Sequence, residues 1–552
     1  MDLLLDVNIV VDICSPREEY EEAARDAVAL CSQNKGRLWI YSGSVQTLEI
    51  TLTRELKRRY EAAGIKAGNQ VISHRARELL QDFCLDKNWL AALSGEGNVF
   101  SAADPEDEQL IRSLDRFPAE SVRLLTRDRL LLDNYPEKTI SPAEFCRTNG
   151  KNRQISFVDL PAQQDVVRPA LEKNVHTVLH HGRYILGPEV KELEEKLAEF
   201  AGAEHCISCS SGTDALLMAL MALDVGPGDA VFTTPFTFVA TADVIARLGA
   251  TPVFVDIDPR TYNLDPDKLD QAIQAVQAND PDIHSLPQPV QPSQPLQPGN
   301  KPLKPKCVIP VDLYGLPCDY DATNAIADKY GLHVIQDGAQ SFGAESHGLM
   351  CPTLGDIGCT SFFPSKPLGG YGDGGALFTD DEDLAGRLRS IRVHGQGANK
   401  YDTVRLGLKG RMDTLQAAVV LPKLEIYARE LELRRQAAQY YNELLGPCSS
   451  ALVPPFVPEG QKSAWALYTV LTRDSEQRSA LQARLNEAGI PSVVYYARPL
   501  HLQPVFEPLG YKKGNFPVAE ASADRVMSLP MHPYLTAEEQ DSICEVIRDE
   551  IN

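Results

Sequence analysis

The feature that most constrains this chain is a repeated alternation of short apolar stretches with longer amphipathic ones, on both sides of a polar break at Thr148-Asn149-Gly150-Lys151-Asn152-Arg153. Alternation of that kind builds layered α/β domains, and a polar, glycine-containing break between two such runs is where one folding unit ends and another begins. The boundary therefore falls at residue 150. In 1–150 the apolar stretches at 3–5, 38–41 and 124–126 predict a small α/β domain. Residues 151–425 repeat the pattern on a larger scale, and 426–552 mix long helical stretches with short strands such as 466–471, predicting a smaller α+β domain. At 552 residues the chain has room for three such units.

Composition enters as a filter. With 76 acidic against 54 basic residues the net charge is −22, which argues against indiscriminate binding to nucleic acid or anionic lipid. No apolar run approaches the roughly 18 residues of a membrane span, and the apolar start of the chain is broken by Asp6 with no basic stretch before it, so a cytoplasmic protein is expected. The 12 cysteines are scattered, the pattern of reduced thiols, and the C-x-x-C of Cys206 and Cys209 lacks the second pair of a zinc site. Proline recurs through 279–306, which predicts a surface insertion, read either as a spacer or as a proline-rich ligand for an adaptor domain.

Three separated segments of the second half carry chemistry. His333-Val334-Ile335-Gln336-Asp337 ends an apolar strand on a carboxylate, the place where open α/β sheets bind ligands. Cys359-Thr360-Ser361-Phe362-Phe363-Pro364-Ser365-Lys366 brings a lysine out of another strand into a glycine-rich turn. Ser210-Ser211-Gly212-Thr213-Asp214 opens an apolar helix, whose free N–H groups make an anion cup. Singly these read equally well as a capped helix and a solvated lysine. Together they are the anion site, the pyridinium partner and the amine that hold pyridoxal phosphate.

From residue 155 onward the chain resembles the DegT/DnrJ/StrS family of sugar-nucleotide aminotransferases, pyridoxal-phosphate enzymes of fold type I. The resemblance is carried by G-R-Y-I-L-G-P-E-V at 182–190, S-S-G-T-D-A-L at 210–216, T-F-V-A-T-A at 237–242, V-F-V-D-I-D-P at 253–259, D-G-A-Q-S-F-G-A at 337–344, S-F-F-P-S-K at 361–366, G-D-G-G at 372–375 and M-S-L-P-M-H-P at 527–533. It implies that Lys366 is the Schiff-base lysine and Asp337 the partner of the pyridine nitrogen. It further implies that Gln340 lies near the cofactor 3-hydroxyl, that Phe238 stacks on the ring, and that Gly212, Thr213 and Ser361 hold the phosphate. Relatives that dehydrate have His in place of this lysine, so Lys366 implies amino transfer, with an amino acid such as L-glutamate as donor and a nucleotide-linked keto sugar as acceptor.

Within the family the chain looks most like the subgroup acting on UDP-linked 3-oxo-glucuronic acid derivatives in polysaccharide biosynthesis. Arg411 occupies a substrate-side position suited to a carboxylate, with pairing to Asp413 or a helix end as the alternative; His501 falls at a position near the cleft, with surface packing as the alternative. Two positions depart from the subgroup. Lys409 replaces an Asn that reaches the partner subunit's cofactor phosphate, and Tyr495 stands where the subgroup can show His. Fold type I sites form between two subunits, so a homodimer is implied.

The first half carries Asp6, Glu49, Asp107 and Asp128 in L-L-D-V-N-I-V-V-D, S-V-Q-T-L-E-I, P-E-D-E-Q-L-I and T-R-D-R-L-L-L. Acids that converge need a compensating divalent cation, Mg²⁺ or Mn²⁺, which would activate water on a phosphodiester. The blocks resemble a PIN domain, the metal-dependent ribonuclease fold, and imply RNA as a substrate. Arg54, Lys57, Arg58 and Arg59 follow Glu49 and read either as a backbone contact or as a solvated helix face. The chain thus reads as a PIN-like domain joined to an aminotransferase. Two rivals remain: an RNA-processing nuclease whose large half senses nucleotide sugar or cofactor, and an aminotransferase whose first half is a silent interaction module.

Overall fold

The computed structural model describes, within the first 154 residues, Asp2–Leu5, Leu38–Tyr41, Leu52, Lys57, Ala76, Asn88–Leu90, Val122–Leu125 and Thr139–Ile140, and beyond them residues 155–291, 294–298, 302–399 and 401–551. Two compact units result, Met1–Gln154 and Ile155–Asn552. In the first, β1 (Asp2–Leu5), β2 (Leu38–Tyr41), β3 (Asn88–Leu90), β4 (Val122–Leu125) and β5 (Thr139–Ile140) make one parallel sheet in the order β3-β2-β1-β4-β5. Strand order that grows outward from the first strand in both directions is that of a doubly wound sheet. Leu5 and Leu124 are buried and Lys57 is exposed. Asp6, Glu49, Asp107, Asp128, Arg54, Arg58 and Arg59 lie outside the described residues.

The second unit begins with α1 (Leu160–His181), α2 (Pro188–Ala201), β6 (His205–Cys209), α3 (Gly212–Ala222), β7 (Asp229–Thr233), α4 (Ala240–Arg247), β8 (Thr251–Phe254) and α5 (Pro266–Ala278). A hairpin of β9 (Val290–Gln291) and β10 (Gln294–Pro298) precedes β11 (Lys304–Ile309), α6 (Tyr320–Tyr330), β12 (His333–Asp337), β13 (Glu345–Ser346), β14 (Leu349–Met350), β15 (Ile357–Ser361), β16 (Gly375–Thr379) and α7 (Glu382–Ile391). The remainder comprises α8 (Thr414–Leu445), β17 (Leu452–Val453), β18 (Gln461–Lys462), β19 (Tyr468–Thr472), α9 (Ser475–Glu487), α10 (Pro517–Arg525), β20 (Val526–Leu529) and α11 (Ala537–Ile551). Aspartates cap several of these helices: Asp159, Asp265, Asp319, Asp381 and Asp474 each accept a first-turn N–H.

Seven strands form the central sheet, in the order β6-β16-β15-β12-β11-β7-β8, and all run the same way except β16. Strand residues alternate between two cores. Ala230, Phe232, Val308, Val334, Ala376 and Phe378 face one core, and Val231, Cys307, Ile309, Ile335 and Leu377 the other. Helices cover both faces, so the strands are continuous apolar runs. A third core, around Tyr441, Tyr468, Leu481, Met527 and Ile543, belongs to the C-terminal region, where β17, β19 and β20 form an antiparallel sheet.

The division expected at 425/426 lies within α8, a helix of 32 residues that enters the central core as far as Leu431 and the C-terminal core from Ala437. The proline-rich insertion is tied down rather than wholly superficial. Leu286 and Leu303 pack on the central core, Gln288 N–H donates to the Leu509 carbonyl (2.8 Å), and the end of the segment enters β11. Pro305 has no N–H to give the ladder, and the β11–β7 register shifts between Pro305 and Cys307. Among the described residues no helix is long and apolar enough to cross a membrane.

Candidate active site

Asp337, Ser361, Cys209 and Thr233 are the last residues of β12, β15, β6 and β7, parallel strands whose carboxyl ends lie on one side of the sheet. The anion cup follows β6 directly. Ser211 is extended and its hydroxyl accepts the Asp214 N–H (3.0 Å), which fixes the start of α3 and leaves the Gly212 and Thr213 N–H groups at its mouth. Ser210 Oγ engages the Asp214 carboxylate and so holds it. A Cβ on Gly212 would stand 2.7 Å from the Ser361 Cβ, so only glycine lets α3 approach β15 this closely. That approach places the Ser361 hydroxyl beside the free N–H groups.

Asp337 is 5% exposed. Its Oδ2 accepts the Thr241 hydroxyl (2.8 Å) and its Oδ1 the Ala339 N–H (3.3 Å). Burial holds its carboxyl above the ordinary range, against the pull of those two donors and of the Lys366 ammonium. Burial also lowers the Lys366 amine, which Asp337 partly offsets. Each group therefore leans toward neutrality, and a cationic ring lying against Asp337 would return it to its ionised form.

Lys366 closes a tight turn, its N–H donating to the Phe363 carbonyl (2.9 Å). The loop that follows folds back beneath it, with Gly370 N–H on the Phe362 carbonyl (2.7 Å) and Phe362 N–H on the Gly374 carbonyl (2.8 Å). Across the site, one short segment after β7 supplies both Phe238 and Thr241. Phe236 anchors it in an aromatic core, while Phe238 remains 55% exposed with its ring 6.4 Å from that of Tyr496. Gln340 is buried, and its side-chain oxygen accepts the Tyr314 N–H (2.8 Å). Burial, the Asp337 charge and Tyr495 push the Tyr496 phenol far up, opposed by a hydrogen bond with Gln340.

The strap carrying Lys409 and Arg411 passes beside the cup, because the Gly410 carbonyl accepts the Ser210 N–H (3.0 Å). Lys409 is exposed, and Arg411 is half-buried with no side-chain hydrogen bond or ion pair among the described residues; the alternative pairing with Asp413 is not formed. His501 is a correction. Its side chain is wholly enclosed, with Nε2 on Glu520 (3.0 Å) and its ring 4.8 Å from Phe516, because the turn carrying it packs into an aromatic core instead of lining the cleft. Cys206 and Cys209 enter different cores, and burial pushes the Cys209 thiol up to about 12.

Sequence reasoning gave no role to Thr241, Tyr314 or Tyr496. Thr241 lies within a quoted block, T-F-V-A-T-A, and its position three residues after Phe238 was the available signal. The residues assembled fit pyridoxal phosphate. A cup that any side chain at 212 would fill suits a phosphate, the buried carboxyl suits a ring cation, the neutral-leaning amine suits a carbonyl, and the exposed aromatic suits a ring face.

Residues 167–548 match the model of the DegT/DnrJ/EryC1/StrS aminotransferase family. A relative from Pseudomonas aeruginosa, UDP-2-acetamido-2-deoxy-3-oxo-D-glucuronate aminotransferase, is 47% identical over 393 residues, 71% of this chain and 99% of its own. Among solved structures, a DegT DnrJ EryC1 StrS aminotransferase from Brucella abortus is 46% identical with a TM-score of 0.66, covering 72% of this chain and 99% of its own. The PLP form of a Streptococcus pneumoniae protein described as a sugar aminotransferase is 28% identical with a TM-score of 0.61, covering 69% and 96%. The chain belongs to the DegT/DnrJ/EryC1/StrS aminotransferase family.

Proposed function

We propose that residues 155–552 use pyridoxal phosphate to move an amino group from L-glutamate to the 3-keto carbon of a UDP-linked 3-oxo-glucuronic acid derivative. The observation that carries the chemistry is the meeting of Lys366 and Asp337 beside the Gly212 cup, each perturbed toward neutrality by the same enclosed site. When bound, the cofactor supplies an electron-accepting ring and an aldehyde that carries nitrogen from donor to acceptor. The Gly212 and Thr213 N–H groups and the Ser361 hydroxyl bind its phosphate, and Phe238 lies against its face. Asp337, ionised when paired with the ring cation and supported in that form by the Thr241 hydroxyl and the Ala339 N–H, holds a proton on the ring nitrogen. The neutral amine of Lys366 takes the proton from the donor's α-carbon and delivers one to the sugar carbon that receives nitrogen.

The choice of acceptor rests on the Pseudomonas aeruginosa relative and on Arg411, a guanidinium beside the cup with no ion-pair partner among the described residues and the fork geometry to grip a uronate carboxylate. A homodimer is part of the reading. Ile185 and Leu186 are 51% and 41% exposed, with Ile185 bridged to Asp413, and Tyr401, Val404 and Leu406 stand out on the strap that leads to Lys409, an apolar surface suited to a second copy. For residues 1–150 the reading is a PIN-like nuclease holding Mg²⁺ or Mn²⁺ through Asp6, Glu49, Asp107 and Asp128, supported by the parallel five-stranded sheet of an α/β domain.

The test is spectroscopic and catalytic. Wild-type protein reconstituted with cofactor should absorb near the visible edge, lose that band on addition of L-glutamate, and aminate the UDP-linked 3-keto uronate. Lys366→Ala should do none of these. A wild type that binds cofactor without responding to any amino acid donor would defeat the assignment.

A further inference from the structure

A lysine lies wholly inside the protein behind the catalytic loop. Lys423, on α8, is 0% exposed, although burying an ammonium is costly and an apolar side chain of the same length would fill the volume. Its Nζ donates to the Gly369 carbonyl (2.8 Å) and lies 4.1 Å from the centroid of the Tyr371 ring. Two turns earlier on the same helix, the Gln416 side-chain oxygen accepts the Tyr371 N–H (3.0 Å). A Cβ on Gly372 would stand 2.7 Å from Gln416 Nε2, and one on Gly369 would stand 2.4 Å from the Pro364 carbonyl oxygen. The loop is thus pressed between α8 below and the Lys366 turn above.

We propose that Lys423 and Gln416 are positioning residues that clamp the glycine loop 369–374 to α8 and thereby hold the Lys366 turn in place opposite Asp337. The inference rests on the aminotransferase reading for its purpose, but the clamp itself is a property of the chain. The ammonium is the better clamp: it polarises the Gly369 carbonyl contact and is attracted to the Tyr371 face, whereas the neutral amine keeps at most the hydrogen bond. Burial lowers the amine to about 8, with Glu430 on the same helix opposing. The other groups facing this pocket are the Tyr371 phenol, Asp165 and Arg168 of α1 beyond it, and Gln163, Tyr534 and Arg434 around Glu430.

The readout is hydrogen–deuterium exchange of the 367–375 peptide in the cofactor-free full-length protein, corrected for intrinsic rates, with α8 as the internal reference. In wild type, protection of the loop should fall by at least about tenfold between pH 7 and pH 9 while α8 is unchanged, as expected for loss of a cation–π contact and a charge-assisted hydrogen bond. In Lys423→Met the loop should be unprotected across that range, and the cofactor should bind more weakly by a comparable factor. Wild-type protection that stays flat with pH, or equal loop protection in the two proteins, overturns the clamp. Neither result depends on turnover, so a failure of the aminotransferase reading would be recognised separately, by wild-type protein inert toward every donor.

Discussion

Thr241→Val removes one hydroxyl and leaves the shape of the site intact, which makes it a sharp probe of how Asp337 is tuned. The hydroxyl donates to Asp337 Oδ2 at 2.8 Å in a site that is 5% exposed. A hydrogen bond to an ionised acceptor contributes about 1.5–3 kcal/mol and one to a neutral acceptor about 0.5–1.5, so losing this donor disfavours the carboxylate by about 1.4 kcal/mol relative to the acid. That difference is about one pKa unit. Burial already raises Asp337, so the cofactor-free protein carries the proton at acidic pH and releases it as pH rises through the raised value. The variant should release it about one unit higher. Pairing with a ring cation requires the carboxylate, so cofactor affinity of Thr241→Val should be about tenfold below wild type on the acid side. The deficit should shrink to nothing once pH exceeds the variant's own value. Fluorescence titration of both cofactor-free proteins across pH gives the ratio directly and cancels every proton-linked term the two share. Thr241→Ser, which keeps a donor, should track wild type. A ratio that does not vary with pH, or a serine variant as weak as the valine one, would refute the reasoning.

Gly212→Ala tests the cup. The added Cβ meets Ser361 at 2.7 Å, so α3 and β15 must separate by close to 1 Å to reach ordinary contact, and cofactor affinity should fall by one to two orders of magnitude despite the better helix propensity of alanine; Ser361→Gly in the same chain should restore part of the loss. For the first unit, manganese-dependent cleavage of single-stranded RNA should disappear in Asp6→Asn, and equal cleavage by both proteins would assign the activity to a contaminant.

The chemistry of the second unit was readable because its parts are short strings with fixed chemical content. A carboxylate ending an apolar strand, a lysine leaving another strand and a serine–glycine helix start make Asp337, Lys366 and Gly212 candidates once the family blocks around them are recognised, and the fold sets Asp337 and Ser361 at strand ends with Gly212 against Ser361. Residues that act through packing were not readable in the same way. Lys423 sits in the helical string V-V-L-P-K-L-E, where a lysine ordinarily marks a solvated face, and only the fold shows it under Gly369. His501 differs in the opposite direction: its place in R-P-L-H-L-Q-P matches a family position near the cleft, whereas Phe516 and Glu520 enclose it. The end of the proline-rich insertion was misjudged because Pro305 suggests a break, yet its missing N–H costs the ladder only a local shift.

The length of α8 has a mechanical consequence. At about 1.5 Å per residue its 32 residues span about 48 Å, from the strap beside the phosphate cup, past the lysine under the glycine loop, to the C-terminal core at Tyr441 and Leu445. A rod of that length acts as a lever arm: pivoting it by about 5° at Thr414 would sweep its far end through about 4 Å while barely displacing the near end. Lys423, about 14 Å along the rod from Thr414, would move by about 1.2 Å in the same pivot, so substitutions around Leu445, remote from any reacting atom, would register beneath the glycine loop.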